Sequence, residues 1–443
     1  MAVIDNESPD QGSESFLIES GLYTDEDVYQ LELERIFGRS WLFVAHESMV
    51  PKEGDYITTF MAEDPVIVSR GNDGHIRVLL NKCLHRGNKV CLFDRGNAQR
   101  FRCSYHGWTY NNQGGLGSVP LLKDSYMGDL DIGEMSLPAP RVANYKGLIF
   151  ACWDKDVISL EDYLGEDFRW YLDTFLLDAD PLGLQVLPGR HRYMMPVNWK
   201  LLAENFGGDQ YHFASTHSSV IAISQRPEAG RIVHSEHSGE HYSAEFTSEK
   251  HPPHGLLQLA VGEQFYQEDM NMANGLGAEA ASWVTNRHDR LQERLGDLKT
   301  RPYSFHTANV FPNLSMVGLA TALYGRSLIV WQPRGPMRTE VWQWCFVERS
   351  APDSVKERMA FTLTQRQAAA GMVAPDDHEN FERTSDNLRG WEARTVPFHY
   401  GMGKNSGSTS VLPELPGRVL PQISESYQRS FYRHWRKQMR QNV

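Results

Sequence analysis

The segment CLHRGNKVCLFDRGNAQRFRCSYHGWTY, residues 83–110, decides the fold of this chain because it contains two paired metal-ligand motifs. CLH at 83–85 and CSYH at 103–106 each join one cysteine to one histidine, and residues 86–102 separate them. Thiolates and imidazoles are ligands for zinc and for iron–sulfur clusters. The segment therefore predicts a metal site held by two loops.

Two kinds of metal site use these ligand types. In a Rieske centre, two thiolates hold one iron of a [2Fe-2S] cluster and two imidazoles hold the other. The complete set here is Cys83, His85, Cys103 and His106. A structural zinc site usually groups like ligands two to four residues apart. Because each pair here mixes the two ligand types and is followed by a glycine, the pattern favours the Rieske cluster over zinc.

The composition describes a globular protein with large cores, since 41% of its 443 residues are hydrophobic and 11 are tryptophan. A formal net charge of −12 argues against nucleic acid as a partner, because phosphate binding needs concentrated Lys and Arg. No apolar run approaches the length of a membrane span, and the acidic start MAVIDNESPDQGSESF is unlike a signal peptide. We therefore expect a cytoplasmic protein that binds neither nucleic acid nor a membrane.

Local patterns change along the chain. Residues 25–37 show helical spacing of apolar side chains, and short β-like runs broken by Gly, Asn and Asp follow them. A second β-rich region begins near Leu184 and includes the strands SLIVWQPR and TEVWQWCFVER. A helical pattern extends from Ala351 to about Asn387. Residues 251–296 have no clear period, which slightly favours a surface excursion over a mobile cover above a pocket.

A second metal motif lies in ENFGGDQYHFASTH, residues 204–217, where Asp209, His212 and His217 are spaced D-x2-H-x4-H. In most proteins this spacing marks ordinary surface or core histidines, but beside a Rieske motif it favours a second metal. Two histidines and one carboxylate form the open-sided site of non-haem iron. Five residues of helix rotate a side chain by about 140° net, so the two histidines converge only if the helix breaks, near Ala214.

The carboxylate ligand must come from another part of the chain, and the acidic cluster DDHEN at 376–380 is the best candidate. With that cluster included, the order of motifs resembles the large (α) subunit of Rieske non-haem iron ring-hydroxylating oxygenases of the naphthalene dioxygenase type. The motifs cover nearly the whole chain, and they are CLHRG, CSYHGWTY, NWKLLAENFGGDQYH, THSS, VFPNLS and DDHENFE.

The resemblance implies an α+β fold with two domains. An all-β Rieske domain is expected at 41–160, and a catalytic domain with mononuclear iron at 161–443. The catalytic domain is expected to have a large antiparallel sheet flanked by helices, similar to the START or helix-grip fold. Residues 1–40 are expected to form an N-terminal helical segment that packs on the catalytic domain.

The resemblance also implies the roles of individual residues. It makes His212, His217 and Asp377 the ligands of the iron, since the second aspartate of the acidic pair matches the family's ligand. Asp209 matches the bridging carboxylate, which accepts hydrogen bonds from His212 and from the cluster ligand His106 of a neighbouring subunit. That role implies a trimer, because the two metals of one chain are too far apart in the family for useful electron transfer.

Three further residues match positions near the family's iron or substrate pocket: Asn205, Phe206 and His306. Plain core packing is an equal alternative for them. Residues 367–373, QAAAGMV, stand where several relatives that oxidise fused rings carry bulky aromatic side chains. The pocket is therefore expected to be wider or more polar, which puts naphthalene itself in doubt. A bicyclic or larger arene and a substituted benzoate or phthalate both remain open as substrates.

The function implied by the resemblance is that of the terminal oxygenase component, the α subunit, of a multicomponent dioxygenase. Such an enzyme uses O2 and NADH-derived electrons to form a cis-dihydrodiol from an aromatic hydrocarbon or aromatic acid. The chain has no convincing G-x-G-x-x-G motif, so a separate reductase, usually with a ferredoxin, is expected as a partner. A small β subunit in an α3β3 hexamer and an α3 trimer both remain open.

Other functions are compatible with parts of the sequence. Monohydroxylation or oxidative demethylation uses the same iron, and no residue named above separates it from dioxygenation. An electron-transfer Rieske protein is disfavoured, because those proteins carry a membrane anchor and a disulfide between the ligand loops, where this chain has Asn88 and Tyr105. A zinc-stabilised binding module would leave the second metal motif without a purpose.

Overall fold

The computed structural model describes residues 16–177, 180–223, 241–261, 264–296, 302–318, 323–404, 409–421 and 423–440. The chain divides into two compact units, one of residues 37–160 and the other of residues 1–36 together with 161–443. Strands dominate the first unit, and the second combines a large antiparallel sheet with helices, which confirms the predicted α+β class. Among the described residues, no helix has both the length and the hydropathy needed to cross a bilayer.

The unit of residues 37–160, which is described throughout, contains three small antiparallel sheets. Its strands are short because turns rich in Gly, Asn and Asp interrupt them, as the sequence runs predict. The strands Ile76–Leu80 and Arg100–Arg102 each lead into one of the cysteine–histidine loops. The other strands are Leu42–His46, Asp55–Met61, Asp64–Arg70, Arg95–Asn97, Thr109–Asn111, Leu116–Ser118, Arg141–Tyr145 and Leu148–Cys152, with short helices at Glu47–Met49 and Leu122–Tyr126.

The core of this unit is built around the two motif cysteines. Cys83 and Cys103 belong to one buried cluster that includes Leu79, Trp108 and Tyr110. Burial of apolar surface is the main favourable term in folding. The packing that stabilises the unit therefore also fixes the positions of the two sulfur atoms.

The second unit is centred on an antiparallel sheet in which ten described strands take part. Its long strands Ser327–Pro333 and Thr339–Glu348 are buried along their whole length and pair without a break. Across the sheet the order is Leu184–Val186, Thr339–Glu348, Ser327–Pro333, Leu314–Val317, Thr307–Val310, His254–Val261, His241–Phe246 and Arg418–Pro421. Two further strands, His191–Met195 and Pro302–Ser304, pair with Thr339–Glu348 and His254–Val261.

Helices accompany this sheet, and a two-stranded pair of Leu17–Ile18 with Phe398–His399 joins the two ends of the unit. The α-helices are Glu26–Glu32, Leu160–Leu164, Glu166–Leu172, Trp199–Gly208, Phe213–Thr216, Ser218–Ile223, Gln264–Leu276, Ala278–Leu295, Asp353–Gln367, Ala374–Asn387 and Ser426–Arg440. Wider π-type turns follow two of them at Leu33–Phe37 and Asp173–Leu177, and 3₁₀ turns lie at Ser20–Tyr23 and Ala393–Thr395.

The helix Trp199–Gly208 lies against the sheet and leads to the second metal motif. It begins after Asn198, whose side chain accepts a hydrogen bond from the Lys200 N–H in a regular N-cap. It ends in two glycines, and a Cβ on Gly207 would collide with the Tyr427 ring of the C-terminal helix. Glycine is therefore required for the close approach that fixes the end of this helix.

A buried ion pair joins this helix to the N-terminal helix of the same unit. Lys200 Nζ lies 2.5 Å from Glu32 Oε1, and both side chains are at most 1% exposed. The indole N–H groups of Trp199 and Trp435 also donate to Glu32, each at 2.8 Å. Removal of one partner from such a pair costs about 3–5 kcal/mol, because it leaves a buried charge without compensation. The pair therefore specifies how the N-terminal helix packs.

The prediction of one helix from Ala351 to Asn387 is wrong. The structure has two helices there, and the chain turns at residues 368–373, between them. The turn is closed by hydrogen bonds from Gly371 N–H to the Ala368 carbonyl and from Met372 N–H to the Gln365 carbonyl. This break sets the direction of the second helix, which carries the acidic pair.

The prediction of a surface excursion at 251–296 is also wrong. Its described residues include the whole sheet strand His254–Val261 and two packed helices, while residues 262–263 lie outside the described residues. The helix Ala278–Leu295 buries Trp283, Val284 and Leu291, which follow helical spacing. Tertiary packing of that face compensates for its polar composition.

Candidate metal centres

The two cysteine–histidine loops have the same backbone plan. In the first loop, the Cys83 N–H donates to the carbonyl five residues later at 2.8 Å, and the Gly87 N–H donates back to the Cys83 carbonyl at 2.9 Å. The second loop repeats both bonds from Cys103 and Gly107, at 2.8 and 3.0 Å. Both glycines have positive φ angles, +75° and +74°. This conformation explains why a glycine follows each motif.

The loops bury the sulfurs and leave the imidazoles near the surface of their unit. Cys83 and Cys103 are each 2% exposed, whereas His85 and His106 are half-buried. The centroids of the two imidazole rings lie 4.4 Å apart, and the His85 ring stacks on Trp108 at 5.1 Å. The structure therefore brings the four predicted cluster residues together, and the cysteines it describes are all free of disulfides.

Hydrogen bonds converge on both sulfurs. The Tyr110 hydroxyl lies 3.4 Å from Cys83 Sγ, and the Asn88 amide nitrogen lies 3.7 Å from Cys103 Sγ. Burial raises the pKa of Cys103, but hydrogen bonds from the backbone N–H groups of residues 105 and 106, with the Asn88 amide, lower it below its usual range. Buried thiolates that accept hydrogen bonds, together with two imidazoles at the surface, fit a Rieske [2Fe-2S] cluster.

The second metal motif is divided between two helices. The helix Trp199–Gly208 ends before Asp209, whose backbone is extended, and the short helix Phe213–Thr216 lies between His212 and His217. The predicted break near Ala214 is therefore wrong. The chain bends earlier because two glycines end the first helix, and an Asp209 carboxylate oxygen accepts a hydrogen bond from the His212 N–H at 3.3 Å. A single helical turn then brings the two imidazoles together.

Asp377, from the helix Ala374–Asn387, meets both histidines. Its Oδ1 lies 3.3 Å from Nε2 of His212 and 3.3 Å from Nε2 of His217. One ligand atom from each of these three residues lies within 4.8 Å of the other two. Carboxylates of Asp209 and Asp376 face the opposite ring nitrogens at 3.3 and 3.4 Å. A carboxylate at Nδ1 thus orients each imidazole, and the two Nε2 atoms are directed to one common point.

The electrostatics of these three residues favour a cation. Burial lowers the pKa of His212, but hydrogen bonds and charges of Asp209 and Asp377 raise it to about 10. Burial raises the pKa of Asp377, but hydrogen bonds from His212 and His217 lower it to about 2. Positive charge is therefore stabilised at their meeting point. Two imidazoles and one carboxylate are the donor set of open-sided non-haem iron sites, so the residues fit that metal.

Two cavities adjoin this donor set, and Asp377 lines both. The first, of about 430 Å³, is lined mostly by residues with polar side chains, among them Glu204, Asp209, His212 and Tyr400, and we call it the polar cavity. The second, of about 10 Å³, has room for about one water molecule and is largely aromatic and aliphatic. The residues that line it with Asp377 are Tyr193, Leu202, Phe206, Ile329, Trp331, Gln367, Ala374, His378 and Phe381.

The three predicted pocket residues have different surroundings. Asn205 lines the polar cavity, whereas Phe206 lines the apolar one and its ring lies 5.1 Å from that of Trp331. His306 lines neither cavity, and its N–H donates to the Leu257 carbonyl at 3.0 Å. Trp331 was not predicted as a pocket residue. In the sequence it is only part of a strand pattern, and its contact with Phe206 depends on how that strand packs.

Known proteins resemble the chain over nearly its whole length. Two family models match it, the Rieske [2Fe-2S] domain at residues 40–144 and the ring hydroxylating alpha subunit (catalytic domain) at 170–441. Benzene 1,2-dioxygenase subunit alpha of Pseudomonas putida is 39% identical over 431 residues, 95% of this chain and 91% of that one. Biphenyl 2,3-dioxygenase subunit alpha of Rhodococcus jostii (strain RHA1) is 36% identical, over 94% and 88%. A structure of naphthalene 1,2-dioxygenase with indole bound in the active site has a TM-score of 0.84 at 32% identity, over 98% and 94%.

A Rieske domain combined with a two-histidine, one-carboxylate centre defines the class of Rieske non-haem iron oxygenases. Within that class, the chain belongs to the ring-hydroxylating dioxygenase α-subunit family. It is the terminal oxygenase subunit of an aromatic-ring dioxygenase, and its cofactors are one [2Fe-2S] cluster and one mononuclear iron. The predicted family, enzyme class and cofactors are confirmed.

Proposed function

We propose which residues hold each cofactor of this oxygenase. The cluster is held by Cys83, His85, Cys103 and His106, and the mononuclear iron by His212, His217 and Asp377. The observation that carries the iron assignment is the meeting of two Nε2 atoms with one carboxylate oxygen at 3.3 Å each. Iron bound there supplies the binding and activation of O2, and the cluster supplies electrons one at a time.

The substrate class in this proposal is a neutral aromatic hydrocarbon of one or two rings. The apolar residues beside Asp377 support it, because Phe206, Trp331 and Phe381 can contact an arene through ring faces and edges. The space between them is about 10 Å³, so binding of an arene there requires these side chains to move apart. Among the described residues that line this cavity there is no Lys or Arg to pair with the carboxylate of a benzoate or phthalate. The relatives named for benzene, chlorobenzene and biphenyl support the same choice.

Gln367 gives the cavity one polar wall at the end of the helix Asp353–Gln367. A long, flexible amide there occupies less fixed space than an aromatic ring would, and it can rotate away from an incoming arene. We therefore expect single rings and linked pairs of rings to be accepted more readily than a rigid fused pair. This expectation keeps naphthalene as the least favoured of the three hydrocarbons.

The assembly in this proposal is a trimer of α subunits, with or without a β subunit. His85 and His106 lie near the surface of their unit, and Asp209 lines the polar cavity beside His212. These positions support contact between Asp209 and His106 of the partner subunit, which would couple the cluster to the iron of another chain. Electrons reach the cluster from NADH through a reductase, with a ferredoxin as the usual intermediate.

A single-turnover reaction under ¹⁸O2 tests this function. The chemically reduced holoenzyme is mixed with benzene, biphenyl, naphthalene or benzoate, and the products are identified by mass spectrometry. We expect a cis-dihydrodiol with two ¹⁸O atoms from the hydrocarbons, most from benzene and biphenyl, and none from benzoate. One ¹⁸O atom per product would make the enzyme a monooxygenase, and a product from benzoate alone would overturn the substrate class.

A further inference from the structure

Glu204 is a buried carboxyl group in the wall of the polar cavity. It lies in the last turn but one of the helix Trp199–Gly208 and is 6% exposed. Its Oε1 accepts a hydrogen bond from the Tyr400 hydroxyl at 2.6 Å. Its Oε2 is buried and has no hydrogen-bond partner in the described part of the chain. A buried oxygen without a hydrogen-bond donor raises the free energy of a charged carboxylate more than that of a neutral carboxyl group.

A chain of tyrosine hydroxyls extends from Glu204 into the core. The Tyr400 hydroxyl lies 3.4 Å from that of Tyr23, which lies 2.6 Å from that of Tyr432. Tyr23 and Tyr432 are at most 1% exposed, whereas Tyr400 is half-buried and lines the cavity with Glu204. Linked hydroxyls can reorient their hydrogen bonds, so they can stabilise either form of the carboxyl group.

The charges that face Glu204 are mostly negative. Burial raises the pKa of Glu204 to about 8; the charges of Asp209 and Glu425 act in the same direction, and hydrogen bonds from the Tyr400 and Tyr432 hydroxyls act against them. Lys200 approaches from within the helix, but it is paired with Glu32. Four tyrosines surround Glu204, and burial is the main cause that raises the pKa of each. The charge of Glu204 raises these pKa values as well. The four are Tyr23, Tyr400, Tyr427 and Tyr432.

We infer that Glu204 is the proton store of this oxygenase: it is neutral in the resting enzyme and releases its proton into the cavity lined by Asp209 and His212 when electrons arrive. This role rests on the proposed function. Cis-dihydroxylation consumes one arene, one O2, two electrons and two protons; two C–O bonds form, the O–O bond breaks, and the electrons supplied through the cluster reduce the oxygen. One of the two protons leaves the Glu204 carboxyl group and ends on a product hydroxyl, and the other comes from solvent; Glu204 then recovers its own proton from solvent through the cavity.

The tyrosines have a positioning role in this step. Once the proton has left, the carboxylate is stabilised by the Tyr400 hydroxyl, which is itself oriented by Tyr23 and Tyr432. Because the pKa values of these hydroxyls are raised, they keep their own protons at neutral pH. Glu204 is thus the group in this network that exchanges a proton.

Infrared difference spectroscopy of the resting holoenzyme tests the store without any turnover. We expect a C=O band of a protonated carboxylic acid at pH 7 that disappears as the pH rises through about 8. The band should be absent in Glu204→Gln, shifted in Tyr400→Phe, and retained in Glu425→Gln, which removes the other raised carboxyl of this cavity. A band that stays in Glu204→Gln, or leaves with Glu425→Gln instead, would overturn the assignment.

Single turnovers of the reduced enzyme test the use of the proton. In Glu204→Gln, whose amide keeps the shape and can still accept from Tyr400, we expect product per electron to fall by about 100-fold at pH 7 with iron content and cluster signal unchanged. The wild-type yield should fall as pH rises through about 8, and the variant should lose this dependence. Tyr171→Phe, which removes a buried hydroxyl bonded to the Pro416 carbonyl, is the matched control.

The outcomes separate this inference from the function on which it rests. Absence of product from the wild-type enzyme would contradict the proposed function. In that case the infrared experiment alone would decide whether Glu204 holds a proton in the resting enzyme. A wild-type enzyme that forms dihydrodiol while Glu204→Gln gives the same yield and the same pH profile would overturn the store alone. If Glu204→Gln fails to fold, the pH titration of the wild-type band and its shift in Tyr400→Phe decide the question.

Discussion

The two metal centres of this chain are assembled in opposite ways. The proposed cluster ligands come from two loops of one backbone plan, within residues 83–106 of a single unit. The proposed iron ligands come from a short helix after a broken one and from a helix about 160 residues further along, at Asp377. The first centre is therefore specified by local sequence, and the second depends on the tertiary packing of distant elements.

The centres also differ in which atoms they expose. The cluster site buries its sulfurs and presents two half-buried imidazoles, as expected of a group that exchanges electrons with other proteins. At the iron site the exposed fraction of the side chain is 4% for His217, 12% for Asp377 and 23% for His212. Shielding of this kind favours chemistry on a bound arene over exchange with solvent. Four predictions test whether a change at one metal centre leaves the other centre intact.

The largest effect is expected from Cys103→Ser, because serine is a poor ligand for cluster iron. Iron should fall from about three to about one per chain, with acid-labile sulfide near zero and product formation lost. The matched control is Cys91→Ser, a buried cysteine of the same core that carries no ligand role. Elemental analysis and an electron paramagnetic resonance spectrum after reduction measure both. A Rieske signal in Cys103→Ser would refute the cluster assignment.

The next largest effect is expected from Asp377→Ala, which removes the oxygen shared by both histidines. Iron should fall from about three to about two per chain with an unchanged Rieske signal, and product formation should stop. Asp376→Ala is the control, since Asp376 only orients His217 from behind at 3.4 Å. Its iron affinity should fall by roughly 10–100-fold and be restored by excess Fe(II). Equal, irreversible loss in both variants would mean that the wrong carboxylate is assigned.

This contrast explains how much could be predicted from the sequence. The cluster residues could be identified because ligand identity, spacing and the glycines after each motif lie within 25 residues, and each glycine has a local conformational reason. The three iron ligands could be named only through the resemblance to a family. Nothing in the local sequence shows that Asp377 lies near His212, because that proximity is created by packing of one helix against another.

Helix boundaries show the same limit. The break in the second motif was expected near Ala214, from the angle between two residues of a helix, but it lies at Asp209. Two glycines end the helix there because they pack against Tyr427, a contact made by residues more than 200 positions away. The role of Glu204 was missed for the same reason, since its tyrosine partners are remote in sequence.

A smaller effect than metal loss is expected from Asp209→Asn, which keeps the shape but removes the charge that faces His212. Both metals and the red-brown colour should remain, while electron transfer from cluster to iron slows by roughly 100-fold. Stopped-flow absorbance of the reduced cluster, mixed with O2 and substrate, measures the rate. Asp376→Asn makes the same change behind His217, outside the polar cavity, and should leave this rate within a few-fold. An electron-transfer rate in Asp209→Asn within a few-fold of the wild-type rate would reject the bridging role.

The smallest effect is expected from Tyr110→Phe, which tests the local half of the comparison. The Leu84 N–H donates to the Tyr110 oxygen at 3.0 Å, so the hydroxyl hydrogen is directed to Cys83 Sγ, 3.4 Å away. A hydrogen bond to sulfur stabilises the reduced cluster, and each kcal/mol of that preference corresponds to about 40 mV for a one-electron couple. The variant should keep its cluster but have a potential lower by about 40 mV in a redox titration.

Tyr126→Phe is the control for that change, because its ring packs beside Trp108 in the same unit without a hydrogen bond to either sulfur among the described contacts. Its potential should match the wild type. If the two variants shift the potential equally, the effect is one of packing around the loops and not of the hydroxyl. If only Tyr110→Phe lowers the reduction potential, a single local contact sets part of the potential of the cluster. The iron ligands, which distant elements hold, are not affected by that contact.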